Sequence, residues 1–138
     1  MNGPGHAEKT ITQLVRVARA NVEEIKARIA DLEAAKNSAE TSLDWFEQAI
    51  RAEETAKGEG GVVAAEFVRF LEGAAEKRTA LTSTRDTLIG EIETLRGMLG
   101  EAYAELKKLE HLVDISRRTT VRREKRISSL RLRSRGAA

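Results

Sequence analysis

The sequence predicts an all-α fold, an antiparallel two-helix coiled-coil hairpin whose second helix is longer than the first. Three observations carry this: an apolar stripe of heptad period, one internal glycine cluster that divides it, and a composition of helix formers. Charged residues make up 33% of the 138 and aromatics 4%, with a single proline, Pro4. Ala, Glu, Lys, Leu and Arg in excess are the signature of long helices rather than of a thick core.

Alternating steps of four and three from Ile11 land on Val15, Ala18, Val22, Ile25, Ile29, Leu32, Lys36, Ala39, Leu43, Phe46 and Ile50. Only Lys36 interrupts the stripe. Spacing of about 3.5 residues is the seam of a left-handed coiled coil, with a positions at Val15, Val22, Ile29, Lys36, Leu43 and Ile50. The first helix is expected over residues 8–57, after a flexible N-terminus at 1–7.

Gly58, Gly60 and Gly61 crowd into four residues. Glycine ends helices and lets a chain reverse, so 58–61 is expected to be the turn of an αα-hairpin. Beyond it the same stepping resumes through Phe67, Leu71, Ala74, Arg78, Leu81, Arg85, Leu88, Ile92, Leu95, Leu99, Ala102, Leu106, Leu109 and Val113. The second helix is expected over 62–132 and a flexible end over 133–138. Gly73, Gly90, Gly97 and Gly100 all fall off this seam, each costing about 1 kcal/mol against alanine.

A turn centred near Glu59–Gly60 makes the numbers of facing residues add to roughly 119 by the symmetry of an antiparallel hairpin. In that register Arg85 and Arg78 lie close to Glu33 and Glu40, and Arg28 opposes Glu91. Glu33, Glu40, Glu47 and Glu54 recur every seven residues at e, where interhelical charges set register and orientation.

Charge is divided unevenly. Ser116–Ala138 holds nine bases and one acid, Glu124, whereas residues 1–115 hold fifteen bases and twenty-one acids. A helix of about 50 residues spans about 75 Å and one of about 70 spans about 105 Å, so the second overhangs the first. From about Leu112 onward it is expected to lack an intramolecular partner, to fray alone, and to order against an acidic partner. The overhang carries Arg117, Arg118, Arg122, Arg123 and Arg126, with Ile127 and Leu130 returning to the seam. A solvated tail kept for solubility is the plain alternative. Nucleic acid is the less favoured acidic partner, because no aromatic in the overhang can stack on bases.

Trp45, Phe46, Phe67 and Phe70 cluster in sequence near the turn. Phe46 and Phe67 are seam residues and read as core. Trp45 at c and Phe70 at g point outward, and exposed aromatics are enriched at interfaces, so the pair is a candidate partner patch.

No catalytic, cofactor-binding or metal-binding residues are expected. Cysteine is absent, which excludes disulfides, thiolate metal sites and thiol nucleophiles and suits a reducing cytosol. The glycine cluster lacks the Lys-Ser/Thr of a phosphate loop. A two-helix fold has no concave site in which to desolvate paired carboxylates or hold a small-molecule substrate. No apolar run approaches the ~20 residues that span a bilayer, and the N-terminus lacks a signal peptide's apolar core.

The segment Glu101–Arg126, EAYAELKKLEHLVDISRRTTVRREKR, and the opening Leu14–Leu32, LVRVARANVEEIKARIADL, resemble the FliJ family of bacterial flagellar export proteins. The likeness extends over roughly residues 8–132. It implies a soluble, cytoplasmic component of the type III export apparatus, peripheral to the inner membrane at the flagellar base and reaching the membrane only through that apparatus. It also implies a stalk-like coiled coil that binds the ring of the export ATPase FliI and contacts the export gate protein FlhA and export chaperones. Carried over, Arg117, Arg118, Arg122, Arg123 and Arg126 would meet the ATPase. The Trp45 and Phe70 patch would be a candidate for the gate, an assignment that rests on exposure. Two other readings use the same hairpin: a structural spacer or adaptor, and a basic nucleic-acid-binding protein. Self-association through the overhang is compatible with each.

Overall fold

The computed structural model of the chain describes residues 4–60 and 64–136, with side chains described for 5–56 and 65–136. Every described residue is α-helical. Helix α1 runs Pro4–Gly60 and the longer α2 runs Ala64–Gly136. The fold is the all-α antiparallel hairpin that the stripe predicts, and it resolves into two compact units. Unit 1 is Met1–Ile25 with Met98–Ala138, and unit 2 is Lys26–Gly97.

The helix ends differ from expectation. α1 starts at Pro4, within the stretch expected to be flexible; proline suits a first helical position because its missing N–H has no intrahelical partner there. Gly58 and Gly60 lie inside α1 rather than in the turn. Gly61 of the expected turn and residues 62–63, expected to open the second helix, fall outside the described residues. Arg133–Gly136, expected to be flexible, complete α2, with Glu66 in its first turn and Arg133 and Arg135 in its last. Those charges complement the helix dipole at both ends.

In unit 1 the buried residues are Val15, Val22 and Ile25 of α1 and Ala102, Leu106 and Val113 of α2. In unit 2 they are Ala39, Leu43, Ala74, Ile92 and Leu95. Every one belongs to the predicted stripe. No polar or charged residue is buried among the described residues, since two helices bury only one face each. Threonines within the helices return their hydroxyls to the carbonyl four residues back, as Thr12 does to Glu8 at 2.7 Å and Thr120 to Ser116 at 3.0 Å.

The register is corrected by one heptad. In unit 2, Arg78 Nη2 lies 3.7 Å from Glu47 Oε1, not against Glu40. Glu33 Oε1 accepts a hydrogen bond from Arg96 Nη2 at 2.8 Å, and Arg85 turns to its neighbour Asp86. In unit 1, Arg19 approaches Glu110 at 4.0 Å and Arg117 binds Glu8 at 3.0 Å. Across these pairs the residue numbers add to 125–129 rather than 119. The cause is the longer α1, which moves the point of reversal toward the C-terminus. Lys36, the one break in the stripe, is half-buried and bends back to Glu33 Oε2 at 3.0 Å.

Candidate functional site

With the register moved, α1 covers more of α2 than expected. Val113 is buried, Ser116 and Thr120 are half-buried, and Arg117 Nε donates to Glu8 Oε1 at 3.0 Å. The unpartnered stretch therefore begins at about Val121, not Leu112. Arg118 is also engaged, 3.1 Å from Asp114 one turn back. Arg122, Arg123 and Arg126 differ from both: they lie in the run 121–136, in which every residue is exposed.

That run holds seven bases against Glu124. Like charges on neighbouring turns disfavour an isolated helix, and a helix of this length gains most of its stability from packing. Its apolar residues are open to solvent, Ile127 at 44% and Leu130 at 58%. Spaced three apart, they share one side of the helix. The result is a basic helical surface with an apolar centre and no intrachain cover.

The aromatic patch in unit 2 divides. Trp45 is 62% exposed and meets Phe46 edge to face, ring centroids 5.0 Å apart. Lys77 Nζ stands 5.6 Å from the Phe46 centroid on the ring face, a cation–π arrangement. Phe46 and Phe70 are both half-buried, so of the expected pair Trp45 is the one that stands clear of the helices, beside Phe46 and Lys77.

A surface missed in the sequence lies in unit 1. Leu14, Val17, Leu112 and Ile115 are all exposed. With a at Val15 and Val113, Leu14 and Leu112 fall at g, Val17 and Ile115 at c. In an antiparallel pair the g flanks of both helices adjoin. The four residues therefore lie along one flank, while Arg19, Glu110 and Arg117 at e line the other. Reading g and c across both helices, rather than a and d along each, would have found it.

The Glu33 carboxyl titrates below its ordinary value. The hydrogen bond from Lys36 is the largest cause; with the Lys36 charge and, least, the charge and hydrogen bond of Arg96, it outweighs the opposing cost of burial and holds the carboxyl below the usual glutamate value of 4.5. Among the described residues no cluster of three His, Asp or Glu side chains could hold a metal ion. No helix is long and apolar enough to cross a membrane among those residues.

No family model matches the chain, and no curated protein or solved structure is significantly similar to it.

Proposed function

We propose that the chain is a non-catalytic interaction protein of the bacterial flagellar export apparatus. It acts as a stalk-like coiled coil that binds a FliI-like export ATPase ring through the basic end of α2. In this reading it works in the cytoplasm at the inner-membrane face of the flagellar base, and couples the ATPase to an FlhA-like gate and to export chaperones. Exposed Trp45, beside Phe46 and Lys77, serves the gate contact.

The observation that carries the reading is the run 121–136, continuous helix with every residue exposed and seven bases to one acid. The resemblance of Glu101–Arg126 to the FliJ family supports the choice of partner. Arg117 and Arg118 already have carboxylate partners, so Arg122, Arg123 and Arg126 carry most of the contact. Truncating or reversing charges at an interface acts on both rate of association and affinity.

Co-purification with a hexameric export ATPase, and stimulation of its hydrolysis, test this directly. R122E/R123E/R126E is expected to weaken binding by about tenfold or more, each lost charge contact being worth up to about 1 kcal/mol. Binding that survives the triple reversal, or no binding by the parent protein, removes the ATPase reading in favour of a structural spacer. Tight DNA binding that falls steeply with salt would instead assign these arginines to phosphates.

A further inference from the structure

Unit 1 carries a second stripe beside the seam. On α2 it runs through Glu101, Glu105, Leu112, Ile115, Arg122 and Arg126, at alternating c and g positions, and every one of them is exposed. Lys108 and Thr119 complete its steps of four and three, the spacing that keeps a stripe on one flank of a supercoiled helix. Among the described residues Glu101, Glu105, Arg122 and Arg126 have no ion-pair partner within the chain. Apolar residues hold the centre, with acids on the N-terminal side and bases on the C-terminal side.

The order is symmetric in position and opposite in charge. Glu105 stands seven residues before Leu112, and Arg122 seven after Ile115. Glu101 and Arg126 stand eleven residues out on the same two sides. Such a stripe is complementary to itself when turned end for end. From Glu101 to Arg126 it is about 39 Å long at 1.5 Å per residue. α1 adds Leu14 and Val17 to this flank, the latter 67% exposed. They lie level with Leu112 and Ile115, because Thr12, Val15 and Arg19 line one side of a hollow whose other side is Glu110, Val113 and Arg117. Four neighbouring apolar side chains in water mark a contact surface.

We infer that two copies pair through this flank of unit 1 about a two-fold axis, α2 against α2 and α1 against α1, each pair antiparallel. Leu112 then meets the partner's Ile115, Glu105 the partner's Arg122 and Glu101 the partner's Arg126, and the symmetry makes each contact twice. Lys108 meets the partner's Thr119, so no like charges face each other along the stripe. On α1, Leu14 meets the partner's Val17. The apolar centre supplies the attraction, while the exposed charge pairs fix register and direction more than they add stability. Residues 121–126, which α1 does not reach, are covered by α2 of the partner and gain the packing that a helix end needs. Pairing occupies Arg122 and Arg126 and so competes with the proposed ATPase contact, but it does not rest on that reading.

The test is sedimentation of the purified full-length chain across a concentration series at low salt, with helical content followed by circular dichroism. A reversible dimer and nothing larger is expected. E101R/E105R and R122E/R126E each set like charges opposite one another, and each should weaken the dimer about tenfold or more at unchanged helical content. Mixing the two should restore pairing between unlike chains, because every charged position then faces its opposite. L112Q/I115Q alters no charge and should weaken the dimer to a similar degree. E101R/E105R keeps Arg122 and Arg126, so its loss of pairing is separable from any loss of ATPase binding. A monomer at all concentrations overturns the inference, as does association that continues beyond the dimer. So does a dimer that survives any of the three variants, or a mixture that stays monomeric.

Discussion

Arg117 Nε donates to Glu8 Oε1 across 3.0 Å, joining the second turn of α1 to α2. The pair marks the last point at which the first helix covers the second through charged side chains. Residues 121–136 beyond it are all exposed. Glu8 is the more sheltered partner, 27% exposed against 63% for Arg117, because the carboxylate lies along the seam. R117Q is expected to loosen the start of α1, with faster amide exchange over residues 8–12 and a loss of about 0.2–1 kcal/mol. Unchanged exchange there would show that Val15 and Val113 alone hold the helix end.

The heptad register makes a prediction of its own. A double-mutant cycle between Glu47 and Arg78 should return a coupling of about 0.2–1 kcal/mol, and one between Glu40 and Arg78 should return none. Denaturation of the E47Q, E40Q and R78Q single and double variants measures both. Coupling to Glu40 in place of Glu47 would restore the register with a sum near 119.

Core and surface should respond differently. Leu95 and Leu106 are 5% and 8% exposed, and truncation of either to alanine is expected to cost about 2–4 kcal/mol in urea denaturation. Trp45→Ala removes a larger side chain that is mostly in water, and should cost under about 1 kcal/mol, chiefly its edge contact with Phe46.

Gly90, Gly97 and Gly100 have open space where a Cβ would stand, with nothing within 4 Å and no left-handed backbone. Alanine at each should raise stability by up to about 1 kcal/mol through helix propensity alone. Thermal melts of the single and triple variants check this. A loss of stability would mean that these positions are covered in an assembly.

Glu33 sets an acid dependence. Its carboxyl titrates below the ordinary glutamate value in the folded chain because Lys36 and Arg96 favour the charged form. The stability it adds is present above the unfolded value near 4.5 and is lost as pH falls through the lower folded value. E33Q should therefore lower the urea midpoint slightly at neutral pH and match the parent protein once the parent's Glu33 carboxyl is protonated in both the folded and unfolded chain. With the side chain 27% exposed, solvent screening keeps the effect small.

The sequence by itself determined which face of each helix is buried. All the buried residues, from Val15 to Val113, lie on the stripe, because a 3.5-residue period leaves one face apolar whatever the partner. It also located the basic end of α2 and the outward position of Trp45. The register was another matter. Sliding one helix past the other by a heptad returns every seam residue to an equivalent place, so the pattern is degenerate to a shift of seven. Only the length of α1, carried through Gly58 and Gly60, broke that degeneracy and moved Arg78 from Glu40 to Glu47. The same shift brought Arg117 under the cover of Glu8. It left Glu40 and Asp44 without partners, and set the start of the uncovered helix at Val121. Whether a charged side chain is spent inside the chain or left for another molecule depends on what stands opposite, and that was decided by the packing of the two helices.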